Sequence, residues 1–391
     1  MFSNVQIKNF KCIKEFRFDL GTLNILTGLN GMGKSSFVEA VLLLYQNVGK
    51  IFGSACLFLN GDLVKLETAK DVLYQYAQNE EITLEIGPNK NDLIRFDLVA
   101  LSRQDVLYFK EITDMAIGSI TTQIPPDAFL KTNHLMKMDE YAPVINETFS
   151  KLTRLEALRQ QPQTLHQKSS SGISWGRIGL HGEFTAHYLV ERGSDAINSH
   201  NMCHPESNSL SLMEQVNTWL GEISPGIRVN VEEIAGVDRI KLDVQYQQKK
   251  LGFTSKYKPN HVGFGISYVL PVITALLAAD PGEVVIIDSP ESHLHPQGQA
   301  TIGLLASLAA ANGIQVILET HSDHVINGVR VAVKEERIKS SDVALFYFDR
   351  EITETEQFAN ITKIEIRPDG DLSDYPENLL NEWANQLMKL V

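Results

Sequence analysis

The eight residues Gly28-Leu29-Asn30-Gly31-Met32-Gly33-Lys34-Ser35 constrain this chain more than any other stretch. The spacing Gly-xxxx-Gly-Lys-Ser lets successive backbone N–H groups curl around a phosphate with no Cβ atoms in the way. Lys34 is placed to neutralise β/γ-phosphate oxygens, Ser35 to reach a Mg2+ ion, and Ser36 follows directly. Asn30 and Gly31 tolerate the positive φ that such a curl requires. An ordinary tight turn is the alternative, and the flanks argue against it. Residues 23–27 (Leu-Asn-Ile-Leu-Thr) run into the loop as a strand, and Phe37, Val41, Leu44 and Val48 leave it at helical spacing. Strand, glycine turn and helix in that order form the opening of a phosphate-binding α/β unit.

A second element answers the first. Val284-Val285-Ile286-Ile287 is a continuous apolar run ending in Asp288. A buried strand with a terminal carboxylate sets a negative group at the C-terminal edge of a sheet, where a phosphate-bound Mg2+ has to lie. Many strands end in Asp, so the signal gains its weight from the glycine loop.

The surrounding pattern places both on an α/β frame. Residues 5–10 and 16–20 alternate as strands do, and 55–125 is mostly strand-like, with 82–86 and 94–99 clearest and a helical interruption near 69–76. Residues 127–160 read as helical, and 161–181 as an irregular loop. A helix over 210–220 precedes strands at 227–234 and 238–246. The last third alternates: helix 267–279, strand 284–287, helix 297–311, strand 314–318, helix 322–337, strand 343–348. Helices alternating with apolar strands predict a parallel sheet covered on both faces. Three segments are expected: 1–125 with the glycine loop and a β portion, 126–255 as a mainly helical insertion, and 256–391 with the strand ending in Asp288. Residues 375–391 read as an amphipathic helix, as core or as a docking surface.

Composition excludes several classes. No apolar run approaches bilayer length, and the first residues lack a signal-peptide core, so a cytoplasmic protein is expected. Cys12, Cys56 and Cys203 are scattered, without a zinc-ribbon or disulfide pattern. A formal net charge of −13 argues against non-specific coating of nucleic acid. Two local basic stretches leave DNA or RNA contact open: Arg239, Lys241, Lys249, Lys250, Lys256 and Lys258, and Lys151, Arg154, Arg159, Lys168 and Arg177.

Several motifs together resemble one family. Asp288-Ser289-Pro290-Glu291-Ser292-His293-Leu294-His295-Pro296 resembles the Walker B segment of OLD-like ATPases, a branch of the ABC superfamily related to RecF and SMC heads. Glu319-Thr320-His321-Ser322-Asp323-His324 resembles that branch's switch-histidine strand end. Val262-Gly263-Phe264-Gly265-Ile266-Ser267 stands where the ABC signature would be, and Asn9-Phe10-Lys11 resembles the opening of SMC-like heads. The resemblance covers both ends of the chain, and 50–255 only loosely. It implies an α/β, ABC-type P-loop ATPase head, with a mixed or parallel sheet flanked by helices, an N-terminal antiparallel β portion and the inserted middle region. It implies ATP at Gly28, Asn30, Gly31, Gly33, Lys34, Ser35 and Ser36. It implies Mg2+ on Ser35 and Asp288, and a homodimer or higher homo-oligomer in which Gly263, Gly265 and Ser267 of one chain approach the γ-phosphate held by another. His321 would contact that phosphate. A structural histidine at a strand end is the alternative for His321, and a plain turn before a helix for Gly263 and Gly265.

One departure matters. ABC and SMC heads follow the Walker B aspartate with a glutamate that orients water, and here Ser289 stands in that place. Glu291 is the nearby carboxylate that could substitute, or it is structural, so slow or conditional hydrolysis is expected. Gln160, Gln161 and Gln163 are equal candidates for the Q-loop glutamine. The histidines His293, His295, His321 and His324 fit the ATPase motifs better than a metal site. The implied role is an ATP-dependent switch, similar to ATPase subunits of bacterial anti-phage systems such as Septu, controlling a separate nuclease or other effector. The alternative is a RecF- or SMC-like head acting directly on duplex DNA.

Overall fold

The computed structural model describes residues 1–49, 56–101, 104–114, 149, 151–168, 178–248, 252–376, 379–380 and 386–390. The chain divides into two compact units. The first comprises Met1–Gly21, Leu26–Ser150 and Phe346–Lys363, and the second Thr22–Ile25, Lys151–Leu345 and Ile364–Val391.

The first unit is built on an antiparallel sheet in the order β2-β1-β5-β6-β7-β4. Its strands are β1 (Asn4–Phe10), β2 (Ile13–Asp19), β4 (Cys56–Phe58), β5 (Glu81–Gly87), β6 (Ile94–Val99) and β7 (Val106–Asp114). Period-two alternation sends Val5 and Ile7 of β1 into the core and leaves Lys8 exposed, and Phe10, three residues beyond Ile7, is buried as well. The hairpin between β1 and β2 is tight, with Phe10 paired to Ile13 and left-handed backbone at Asn9 (φ 57°) and Lys11 (φ 50°). The glycine loop joins β3 (Leu23–Gly28) to α1 (Lys34–Asn47). Helix α1 is seated by Phe37, whose ring lies 4.3 Å from that of Phe18 on β2. Thr68 and Asp71 form a capping box on the one-turn helix α2 (Ala69–Val72).

In the second unit, the parallel ladder runs from β8 (Leu152–Leu155) through β13 (Val284–Asp288) to β14 (Gln315–Glu319). Val284 lies opposite both Leu152 and Gln315, and Asp288 opposite Glu319. The start of β3 joins the ladder where the Val316 N–H donates to the Thr22 carbonyl at 2.7 Å. Burial of Val284 to Ile287 and Val316 to Leu318 follows from helices on the faces: α5 (Phe264–Ala278), α6 (Pro296–Ala311) and α7 (Asp323–Lys334). Helices α6 and α7 approach so closely that a Cβ on Gly303 would lie 2.3 Å from the Val325 carbonyl oxygen.

Strands β15 (Val343–Ile352) and β16 (Gln357–Ile364) follow α7. A separate antiparallel sheet is formed by β9 (Leu165–Gln167), β10 (Ile227–Glu233), β11 (Arg239–Gln248) and β12 (Gly252–Phe253). Helices α3 (Thr185–Arg192) and α4 (Leu212–Ile223) pack beside it.

Two expectations are corrected in detail. Within 127–160, where a helix was expected, residues 127–148 lie outside the described residues and Leu152–Leu155 is strand β8. The two leucines three apart suit a helix face, but pairing with β13 makes the segment a strand. The described part of 126–255 therefore carries strands β8 to β12 along with its helices. Within the expected loop 161–181, Leu165–Gln167 is strand β9, held by β11, while 169–177 lie outside the described residues. Of the expected C-terminal helix over 375–391, residues 377–378, 381–385 and 391 lie outside the described residues. Among the described residues, no helix is long and apolar enough to cross a membrane.

Candidate functional site

The glycine loop is folded as a cradle. Gly28, Gly31 and Gly33 all have left-handed φ, at 129°, 74° and 106°. Gly28 is forced by a close approach, because a Cβ there would stand 2.1 Å from the Phe348 carbonyl oxygen of β15. A Cβ on Gly33, the N-cap of α1, would lie 2.7 Å from Cys12 Sγ. The first turn of α1 carries no acidic residue, so its N-terminal dipole faces an anion unopposed. The Lys34 ammonium, 3% exposed as a residue, donates to the carbonyls of Gly28 (3.0 Å) and Leu29 (2.8 Å). Asn30 and Ser35 are exposed, and Ser36 is buried with its hydroxyl 3.5 Å from Cys12 Sγ. These features fit a bound phosphate: each glycine stands where a side chain would strain the backbone or invade the curl.

Beside the loop lies a cavity of about 500 Å3. Gly31, Met32 and Ser36 line it, and so do Lys11, Tyr74 and Arg350. Lys11 is paired with Glu39 of α1 at 2.6 Å. The Tyr74 hydroxyl is shared between Glu356 Oε2 and the Gln357 carbonyl, and burial, then that carboxylate, push its pKa up to about 12. The cavity is large enough for a nucleoside, and Cys12 opens onto it.

The second unit gathers the other group around the ends of β13 and β14. After Asp288 the chain turns at Ser289 with φ 48°, an uncommon conformation for a residue with a Cβ. The Ser289 N–H donates to the Glu319 carbonyl (2.8 Å), and its hydroxyl donates to Asp288 Oδ1 (2.8 Å). Glu291 uses both carboxylate oxygens: Oε2 accepts from the Thr320 hydroxyl (2.7 Å) and Oε1 from the His321 N–H (2.9 Å). Glu291 is thus clamped to the segment that follows β14, with the His321 residue exposed. Ser322 caps α7 by accepting from the N–H groups of His324 and Val325.

Arg159 holds this turn from behind. It is 2% exposed, and its guanidinium donates to the carbonyls of Asp288 (2.7 Å) and Ser289 (3.1 Å). Burial lowers its pKa to about 10, against the pull of Asp288, Glu291 and Tyr268, so it stays charged at neutral pH. Sequence reading named Arg159 only as a basic residue beside the candidate glutamines. Its partners are more than a hundred residues away, and no local pattern announces them. Of those glutamines, Gln160 has a buried Oε1 with no hydrogen-bond partner, and Gln161 and Gln163 are exposed.

The two glycines at the start of α5, Gly263 as its N-cap and Gly265 in its first turn, differ. Gly263, at φ −52°, has open space where a Cβ would go, whereas a Cβ on Gly265 would lie 2.6 Å from the His293 carbonyl oxygen. Gly265 is therefore required by packing within its own chain. Ser267 lies in the first turns of α5. His293 (φ 63°) stacks edgewise on Tyr268 at 4.6 Å, and His295 caps α6.

The basic stretches are mostly engaged. Lys241 pairs with Asp243 (2.6 Å) and Glu232 (3.3 Å), and Lys256 is 3.7 and 3.9 Å from the same acids. Lys151 pairs with Glu283, Arg154 with Glu156, and Lys168 with Glu233. Lys249, Lys250 and Arg177 lie outside the described residues.

Comparison with known proteins gives three family matches. Residues 1–171 match an AAA ATPase domain, and 238–327 match an AAA domain described as a putative AbiEii toxin of a type IV toxin–antitoxin system. Residues 338–390 match a protein family of unknown function, DUF3696. An OLD nuclease of Thermus scotoductus is 23% identical over 340 residues, 82% of this chain and 59% of that protein. Among solved structures, an SMC head bound to the C-terminal winged-helix domain of ScpA aligns with a TM-score of 0.49 at 11% identity, covering 94% of this chain and 98% of that one. The SMC head domain of Thermotoga maritima aligns with a TM-score of 0.44 at 11% identity, covering 93% and 99%.

Proposed function

We propose that this chain, similar to ABC/SMC-like P-loop ATPases of the OLD branch, is a switch: it dimerises around ATP, hydrolyses it, and controls a separate nuclease in anti-phage defence. The observation that carries the nucleotide reading is the cradle, three left-handed glycines around the Lys34 ammonium at the unopposed N-terminus of α1. In that reading the loop N–H groups from Gly31 to Ser36 hold the phosphates. Lys34 exchanges the Gly28 and Leu29 carbonyls for phosphate oxygens, and the adjoining cavity receives the nucleoside. Mg2+, when bound, neutralises developing phosphate charge, and the Ser35 hydroxyl and the Asp288 carboxylate are the residues assigned to hold it. Glu291 carries two tasks in this scheme. It anchors Thr320 and the His321 backbone, and it is the carboxylate assigned to orient water.

The regulatory part has separate support. The chain spans 59% of the curated relative's length, and that relative is an OLD nuclease. Direct action on duplex DNA is the weaker reading, because the described basic stretches are largely neutralised by Glu232, Asp243, Glu233 and Glu283.

Calorimetric titration with ATP tests the core of the proposal. Lys34→Ala is expected to weaken binding by at least roughly a hundredfold, since a charged hydrogen-bonding partner of the phosphates is lost. Unchanged affinity would remove the loop from the site. Dimerisation is tested by mixing Lys34→Ala with Gly263→Arg chains, each expected to be inactive alone. Gly263 is the position to alter, because its open surroundings leave the chain's own packing intact. Recovery of hydrolysis in the mixture supports a site shared between chains. No recovery, with no self-association in sedimentation, leaves a single-chain switch.

A further inference from the structure

We propose that Arg350 is a second cationic contact to the nucleotide phosphates, supplied in cis by the strand beside the loop, an inference that rests on the ATP-binding reading above. Strand β15 is apolar and buried from Val343 to Phe348, and at its end the chain changes character to Asp349 and Arg350. Its position is fixed by the same contact that demands glycine at 28, the Phe348 carbonyl lying against the loop. Arg350 is thereby delivered to the loop's flank. Its Nη2 lies 3.9 Å from where a Cβ on Gly31 would be, and it lines the cavity with Gly31, Met32 and Ser36.

The charge of this arginine is unanswered, whereas Lys11 is paired with Glu39, Lys14 with Glu356 and Lys110 with Glu81. The adjacent acid, Asp349, accepts Arg350's own backbone N–H through Oδ1 at 2.8 Å. Among the described residues, no carboxylate comes within 4.0 Å of the Arg350 guanidinium. An exposed, unpaired guanidinium beside a phosphate cradle matches phosphate oxygens in charge and in fork geometry. Lys70 also lines the cavity, but Arg350 is the residue placed at Gly31.

The test compares the full-length parent, Arg350→Gln, Arg350→Lys and Lys34→Ala by calorimetry with ATP, inorganic tripolyphosphate and adenosine. Arg350→Gln is expected to weaken ATP and tripolyphosphate about tenfold, the scale of one charge-assisted hydrogen bond. Adenosine binding should be unchanged, and Arg350→Lys should recover part of the loss. Cys12, on the same cavity, gives a second readout: ATP should protect it from N-ethylmaleimide at a concentration about tenfold higher in Arg350→Gln than in the parent. If Arg350→Gln binds tripolyphosphate as the parent does, or loses adenosine instead, Arg350 does not contact phosphate and the inference fails. A parent that binds no ATP, or a Lys34→Ala variant that binds it undiminished, refutes the loop reading itself. Loss in Lys34→Ala with none in Arg350→Gln refutes only the inference about Arg350.

Discussion

The glycine loop of the first unit and the turn after β13 in the second solve one problem, holding a turn in left-handed backbone, by different means. In the phosphate loop every left-handed residue is a glycine, so the conformation costs no Cβ strain. At the end of β13 the left-handed residues are Ser289 (φ 48°) and His293 (φ 63°), which have side chains and are held there by other parts of the chain. Arg159 ties down the Asp288 and Ser289 carbonyls, and the Ser289 N–H is bound to Glu319. The first turn is encoded locally and the second by distant contacts. Strain kept in place by its surroundings is a feature of sites that have to move or to position chemistry.

The contrast breaks most visibly if the loop tolerates a side chain. Gly28→Ala places a Cβ 2.1 Å from the Phe348 carbonyl oxygen at a φ of 129°. Steric overlap and backbone strain together should cost about 3 kcal/mol or more and abolish ATP binding. Urea unfolding with a midpoint equal to the parent's would show that the loop is not held by shape.

At the strand end, the corresponding change removes the tether rather than the shape. Arg159→Met keeps most of the buried volume but leaves the Asp288 and Ser289 carbonyls without their donors, at an expected cost of about 2 kcal/mol. Arg159 also faces Asp288 and Glu291 electrostatically, so turnover should fall well beyond what the stability loss explains, with ATP affinity nearly unchanged. A variant that binds ATP poorly but turns over what it binds at the parental rate would contradict that division of labour.

The same contrast explains what could be read from the sequence. The glycine loop, Asp288 and the alternating helices and strands of the last third are local patterns, and local patterns survive in one dimension. Arg159 could not be read, because its partners lie some 130 residues away. Strand β8 read as helix because Leu152 and Leu155 stand three apart, and its pairing with β13 overrides that spacing. The packing demand at Gly265, set by the His293 carbonyl 28 residues on, is likewise invisible in the local sequence. Arg350 was within reach: a buried apolar strand ending in a charged residue is the signal that singled out Asp288, and β15 repeats it.

The smallest effect asks whether the left-handed turn at Ser289 persists in solution, and two substitutions isolate it. Ser289→Ala and Ser289→Gly both delete the hydroxyl that donates to Asp288 Oδ1, so that loss cancels between them. What remains is the backbone. At an ordinary position alanine is the more stabilising of the two by about 0.5 to 1 kcal/mol, because glycine gains more freedom on unfolding. At φ 48° the order should reverse, since a Cβ in the left-handed region costs roughly 1 to 2 kcal/mol and glycine escapes it. Ser289→Gly is therefore expected to be more stable than Ser289→Ala by up to about 1 kcal/mol in urea unfolding. Should alanine prove the more stable, Ser289 does not keep its left-handed conformation in the free protein. The difference between the two turns would then be one of sequence alone. If glycine wins, the strain is real, and the Arg159 and Glu319 contacts are what hold it.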